Sequence, residues 1–367
     1  MTPQVVVADD LSGACDTGAV FATTGASVHV FGEYDHADIG TTGADIVVVD
    51  CDTRHRSEAD AYARVSALLA RVRPERPEEL FLKIDSTLRG PIASVVRAVL
   101  DALPDARAIA APAFPRQRRI TRGGLQLIDD IPVHVGSAGS DPRAPIWTSR
   151  VAEALGSPER VRVFDAATDA DLDTIAMQTG AIWIGAAGLA SALARKRRIP
   201  QPPLPPPVSV IVVAGTINPV THTQLAALAE AGTEVARIEP GDLFIENERL
   251  RALRRRLERI AAGGASFAIS LDPSGRVVDH AAVLSALSGF VTSLPYDPST
   301  TFLATGGETA RALCRALGVH ILVPLDEIEP GIPLSLALGR DIRMITKAGG
   351  FGDPDTLARI VASARRT

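Results

Sequence analysis

At 367 residues the chain is longer than one compact core usually fills, so two domains are expected, each able to bury a core of its own. A hydrophobic fraction of 46% with only 4% aromatics excludes a largely disordered chain and predicts cores of Ala, Val, Leu and Ile, the usual filling of helices packed on parallel strands. The formal charge of -5 excludes a general basic field for nucleic acid or anionic membrane, and Cys15, Cys51 and Cys314 are too few and scattered for a disulfide framework or a zinc site.

The chain opens on the apolar run Val5-Val6-Val7 with no charged leader and carries no long apolar stretch, so neither secretion nor membrane spanning is expected, and the cytoplasm is the expected location. Short β-branched runs then alternate with helical stretches. Strands are predicted at 5–8, 27–31, 45–49, 80–84, 108–111, 162–164 and 181–184, with helices such as 58–71 and 92–103 between them. Eight residues from Pro200 to Pro207 include six prolines, which neither continue a helix nor pair in a central strand; they read as an extended linker. A second series follows at 209–214, 234–238, 266–271, 301–304, 320–323 and 343–346. The expected fold is therefore α/β in two domains, 1–199 and 208–367, each with a mainly parallel sheet flanked by helices. The arginines at 195–198 and 251–259 read as solvated helix faces or linker edges.

Ligands of parallel sheets collect at the carboxyl ends of strands, where helix N-termini present backbone N–H groups. The first strand runs into Asp9 and Asp10, followed by Ser12, Gly13, Asp16, Thr17 and Gly18. Adjacent acids at a strand end are costly unless a cation, a proton or a substrate hydroxyl shares the site; the alternative is an N-cap formed by Asp10 or Ser12. The run from Lys83 to Gly90 gathers Lys83, Asp85, Ser86, Thr87 and Arg89, with Lys83 and Asp85 on one side of an extended strand. Such a mixture suits a polyol bearing a carboxylate, and a structural Lys-Asp pair is the alternative. Asp52-Thr53-Arg54 adds a cation at a third strand end, beside a His55 that reads as a surface residue.

In the second half, glycines recur at strand ends: Gly215-Thr216, Gly306-Gly307-Glu308-Thr309 and Gly349-Gly350. Bare backbone there would let amides approach a phosphate closely, although each loop alone could be a plain turn. No Walker-type phosphate loop, dinucleotide fingerprint, zinc-protease motif or nucleophile elbow occurs.

Taken together, Ala8-Asp9-Asp10-Leu11-Ser12-Gly13-Ala14, the run from Lys83 to Gly90, Ala111-Pro112-Ala113-Phe114-Pro115 and Asp141-Pro142 resemble the four-carbon acid sugar kinases. So do Gly306-Gly307-Glu308-Thr309, Pro330-Gly331-Ile332-Pro333 and the run from Lys347 to Asp353, so the resemblance spans nearly the whole chain. It implies an N-terminal acid-sugar domain, a C-terminal nucleotide domain, and transfer from ATP, with Mg²⁺, to the O4 hydroxyl of threonate, erythronate or 3-oxo-tetronate. Carried over by residue, the acid-sugar site falls on Asp9, Asp10, Arg54, Lys83, Asp85, Ser86 and Arg89, with Asp10 or Asp85 accepting the hydroxyl proton. The nucleotide site falls on Thr216, Gly306, Gly307, Glu308, Thr309, Gly349 and Gly350; no metal ligand is assigned. Where the family pattern has Gly-Arg-Thr-Thr this chain has Arg118-Arg119-Ile120-Thr121, and Glu308 replaces an Asp. The partner expected is a small acid sugar, with no nucleic acid and no membrane, and a homodimer stays open. Two rival readings are a sensor that binds but does not turn over, and a dehydrogenase.

Overall fold

The computed structural model describes residues 4–32, 42–136, 139, 143–195, 197–199, 207–245, 247–272 and 279–364. The chain divides into two compact units, residues 1–201 and 202–367. The proline-rich stretch expected as a linker lies, through residue 206, outside the described residues, as does Asp141-Pro142.

In the N-terminal unit the elements run β1 (Val5–Ala8), α1 (Leu11–Ala22), β2 (Val28–Phe31), β3 (Ile46–Asp50), α2 (Glu58–Val72), β4 (Leu80–Lys83), α3 (Ile92–Ala102) and β5 (Arg107–Ala111). There follow β6 (Arg119–Arg122), β7 (Leu125–Ile128), β8 (Ile131–Pro132), α4 (Val151–Ala154), β9 (Val161–Val163), α5 (Asp169–Ile175), β10 (Ala181–Gly185) and α6 (Ala187–Arg195). The main sheet has the order β2-β3-β1-β4-β10-β5-β9, and every pairing in it is parallel. Its central strands read as continuous apolar runs because both faces are covered: Val6, Val7 and Ala8 are buried, as are Leu80, Phe81 and Leu82. The connection after β1 leads to one side and strand β4 comes in on the other, which opens a crevice at the carboxyl ends of β1 and β4.

A second, antiparallel sheet of β6, β7 and β8 was not anticipated from periodicity. Its strands are short and polar, but they flank Gly123-Gly124, both at positive φ (58° and 72°). That pair gives the two left-handed positions a two-residue hairpin needs and is the local signal for it.

The C-terminal unit comprises β11 (Ser209–Ala214), α7 (Pro219–Glu230), β12 (Glu234–Ile238), α8 (Glu248–Ala262), β13 (Phe267–Leu271) and α9 (His280–Thr292). It continues with β14 (Thr300–Thr305), α10 (Gly307–Leu317), β15 (Ile321–Glu329), β16 (Ile332–Ala337), β17 (Arg343–Lys347) and α11 (Thr356–Ala362). Strand order is β12-β13-β11-β14-β17-β16-β15, parallel from β12 to β17 and antiparallel at β16 and β15. Val210, Val212 and Ala214 pack with Leu225 and Leu228 of α7 and Leu357 and Ile360 of α11 in one core cluster. The hairpin of β15 and β16 extends beyond the predicted strand at 320–323, and its turn is the Pro330-Gly331 pair. Pro324 and Pro333 inside those strands hide it from a propensity reading, since proline removes a ladder donor. The Arg-rich segment 251–259 lies on α8, where Leu257 is the buried residue, as expected of a solvated face.

Candidate active site

At the carboxyl ends of β1, β3 and β4 the N-terminal unit assembles a compact cluster of charges. Arg54 donates from Nε to Asp9 Oδ2 at 2.8 Å, pairs with Asp10 through Nη1, and lies 3.6 Å from Asp85 Oδ1 through Nη2. Asp10 is also the N-cap of α1, its Oδ1 accepting the Gly13 amide at 2.8 Å, so the capping alternative and the charged-cluster reading hold together. Asp85 sits just past the end of β4 and is gripped by Arg89, whose Nε and Nη2 donate to its two oxygens at 2.8 and 3.0 Å. The Thr87 hydroxyl and the amides of Thr87 and Arg89 also donate to Asp85 Oδ2. The structural partner of Asp85 is thus Arg89 rather than Lys83.

The electrostatics separate the three acids. Burial acts to raise Asp85, but Arg89 and Arg54 outweigh it and hold this carboxyl well below its ordinary range. Burial likewise opposes Arg54, Lys83 and the Gly13 amide at Asp10, and there too the result is a lowered pKa. At Asp9 burial prevails against Arg54, with Asp10 adding to it, and the pKa is raised. Arg54 answers three carboxylates: burial works against its charge, yet Asp10 and Asp9 lift it well above its usual value.

Two groups in the cluster keep donors in reserve. Lys83 is 4% exposed and its ammonium donates no hydrogen bond to a described residue. A Cβ on Gly13 would lie 2.5 Å from Lys83 Nζ and 2.8 Å from Asp10 Oδ1, so a side chain there would have to displace the lysine or the capping carboxylate. Ser12 Oγ in the first turn of α1 is buried with no hydrogen-bond partner among the described residues. Asp9, Thr53, Arg54, Lys83 and Arg89 line a small recess whose apolar wall is Ile92 and Val95.

The antiparallel sheet contributes a further cation. Alternation along β6 buries Arg119 and Thr121 while Arg122 stays exposed, as does Arg118 just before the strand, and Arg119 Nη1 donates to Ser86 Oγ at 2.6 Å. Gln126 of β7 fixes this sheet to the strand end, donating to the Ser86 carbonyl at 2.7 Å and accepting from Thr121 Oγ1 at 2.7 Å. Burial brings Arg119 down to about 10, against the pull of Asp85. Of the segment 118–121, then, Arg119 is the residue delivered to the cluster.

In the C-terminal unit the glycine loops converge at the carboxyl ends of β11, β14 and β17, adjacent strands in the order β11-β14-β17. A Cβ on Gly306 would lie 3.4 Å from Thr216 Cβ, and one on Gly349 would lie 3.1 Å from Thr216 Oγ1. Thr216, Gly306, Thr309 and Gly349 therefore share one cradle that fits bare backbone, the form a phosphate site takes. Glu308, in the first turn of α10, reaches His280 at 3.6 Å instead. Gly307 begins α10, and Gly350 continues the loop after Gly349. Beneath that loop, the fully buried Lys347 donates to the carbonyls of Ala348, Gly349 and Phe351 at 3.0, 3.3 and 3.1 Å. Gly306 caps α10 with φ 93° and ψ 137°, a conformation side-chain-bearing residues rarely adopt. Gly306→Ala is expected to destabilise this unit by about 1–3 kcal/mol; an unchanged unfolding midpoint would show that the loop tolerates the side chain.

A family model described as a sugar-binding N-terminal domain matches residues 4–160, and one described as a nucleotide-binding C-terminal domain matches residues 211–357. The chain is 30% identical to a D-threonate kinase of Bordetella bronchiseptica, covering 98% of this chain and 97% of that one. The chain belongs to the four-carbon acid sugar kinase family. A D-erythronate kinase of Heliobacterium modesticaldum is 27% identical, with 98% and 97% of the two chains covered. The crystal structure of a Salmonella typhimurium protein aligns over 99% of this chain and 98% of its own with a TM-score of 0.75; at 19% identity it supports the fold alone.

Among the described residues no group of three or more His, Cys, Asp or Glu side chains is placed to hold a metal ion. No described helix is long and apolar enough to cross a membrane. Within this family fold, Ser12 is a residue that sequence reasoning left out of the site, and Arg119 was reached only as part of the segment 118–121. Ser12 could be seen only as a cap alternative, and Arg119 needs the hairpin of β6 and β7 to reach Ser86.

Proposed function

We propose that the protein is an ATP-dependent kinase that phosphorylates the terminal O4 hydroxyl of a four-carbon acid sugar such as threonate, erythronate or 3-oxo-tetronate. Residues 1–199 would bind the sugar and residues 208–367 the nucleotide. The observation that carries this reading is the buried residue Lys83, whose ammonium donates to no described residue, in a recess lined by Arg54, Arg89 and Asp9. Such a site suits a ligand with one carboxylate and several hydroxyls, because each buried polar group then finds a partner.

In this reading Lys83 and Arg89, helped by Arg119, hold the sugar carboxylate, while Asp10, Asp85 and Ser86 keep those cations in place. Thr216, Gly306, Gly307, Thr309, Gly349 and Gly350 would cradle the ATP phosphates, with Glu308 at their edge. ATP supplies the γ-phosphoryl group, and Mg²⁺ rides on its phosphates rather than in a protein cage, as is usual for that ion. An ATP-using enzyme with buried thiols at Cys15, Cys51 and Cys314 fits the cytoplasm.

A coupled assay of ADP release over D- and L-threonate, D- and L-erythronate, 3-oxo-tetronates and longer aldonates tests the reading. Turnover is expected on a four-carbon acid and not on six-carbon acids. Ligand binding without turnover would favour the sensor, and activity confined to six-carbon acids would remove the four-carbon assignment.

A further inference from the structure

Resting on the kinase reading, we propose that Asp9 is the general base that takes the proton from the attacking hydroxyl of the acid sugar. Oxygen by oxygen, the neighbouring acids are committed elsewhere. Asp85 Oδ2 accepts from Thr87 and Arg89, and its Oδ1 accepts from Arg89 Nη2. Asp10 Oδ1 accepts the Gly13 amide and its Oδ2 pairs with Arg54. Asp9 binds Arg54 through Oδ2 alone, and its Oδ1 is buried with no hydrogen-bond partner among the described residues. Asp9 also lines the recess, beside Lys83 and Thr53.

A general base needs an available lone pair within reach of the proton, and it must not be locked in its anionic form by strong donors. Asp10 and Asp85, the two acceptors expected from the motifs, meet neither demand. Their oxygens act as struts for Arg54 and Arg89. Asp9 meets both, because Arg54 anchors one oxygen and leaves the other to face the hydroxyl. Its basicity is set first by burial, which raises it with Asp10 and Asp85, against Arg54 and Lys83, which lower it.

In the step itself the O4–H bond breaks and its proton passes to Asp9 Oδ1. The O4 electron pair forms the new bond to the γ-phosphorus, the bridging P–O bond of ATP breaks, and ADP leaves with that electron pair. The carboxylic acid on Asp9 then returns its proton to solvent.

The test uses the full chain and the acid that it turns over fastest. Asp9→Asn keeps an oxygen for Arg54 and is expected to lower kcat by about 10²- to 10⁴-fold, with the calorimetric Kd for the acid sugar nearly unchanged. A kcat close to that of the wild type overturns the proposal and leaves the kinase reading standing. Should the variant fail to fold, the wild-type pH profile decides. Proton acceptance by a carboxylate of raised pKa predicts that kcat/KM falls on the acid side, and a flat profile from about pH 7 to about pH 4 overturns it. Wild-type protein that phosphorylates none of the acids overturns the kinase reading and the proposal with it.

Discussion

Asp85→Asn is expected to lower the stability of the N-terminal unit by about 3–5 kcal/mol, the range seen when one partner of a buried ion pair is removed. The residue is 5% exposed and faces Arg89, Arg54 and Arg119, so the neutral amide leaves guanidinium groups packed together with reduced compensation. The amide also cannot accept every bond that the carboxylate takes from Thr87 and Arg89. Both tryptophans, Trp147 and Trp183, lie in this unit, so denaturant unfolding followed by their fluorescence reports on it directly. The effect has a pH signature. The folded pKa of Asp85 is depressed, so its contribution is complete above the unfolded value of about 3.9 and is lost as pH falls through the folded one. Wild type and variant should therefore differ most at neutral pH and converge in strong acid. A constant gap down to the acid limit would mean that packing, not charge, accounts for the loss.

Lys347→Met is expected to raise the Kd for ATP by about 10- to 100-fold, or about 1.4–2.7 kcal/mol, while binding of the acid sugar stays as it is. The ammonium has three donors and meets three carbonyls of the loop that follows β17. With those carbonyls turned to the lysine, trans peptide geometry aims the Gly349 and Gly350 N–H groups the other way. Methionine matches the length but removes both the tether and the positive charge. Collapse of the fold is not expected, because Thr221 still donates to the Gly349 carbonyl and Gln224 to that of Phe351, at 2.8 and 2.9 Å. Lys347→Arg should not restore binding, since a planar guanidinium does not fit a fully enclosed point-charge site. Titration calorimetry with ATP and with the acid sugar separates the two affinities. Equal weakening of both would argue for a general structural role.

What the chain's order of residues settles by itself is the architecture and the place of its polar strand ends. Runs such as Val5-Val6-Val7 and Ser209 to Ala214, alternating with amphipathic stretches, suffice for parallel sheets because burial on both faces demands continuous apolar strands. Residues directly after such runs, Asp9 and Asp10 after β1 and Gly306 after β14, must lie at carboxyl ends, since chain direction is shared by all strands of a parallel sheet. The hairpins of β6 with β7 and β15 with β16 escaped that logic. Their pairing depends on turns and on cover from other elements more than on hydrophobic period. Tertiary structure alone decided how the charges divide their work. Arg54 arrives 45 residues after Asp9, and Arg119 33 residues after Ser86, so which carboxylate oxygen each donor saturates is a matter of distances across strand ends. Hydrogen bonds act over about 3 Å and depend on angle, and spacing along a chain carries neither quantity. That is why the motifs single out Asp10 and Asp85 as proton acceptors, while among the described residues it is an oxygen of Asp9 that has no donor.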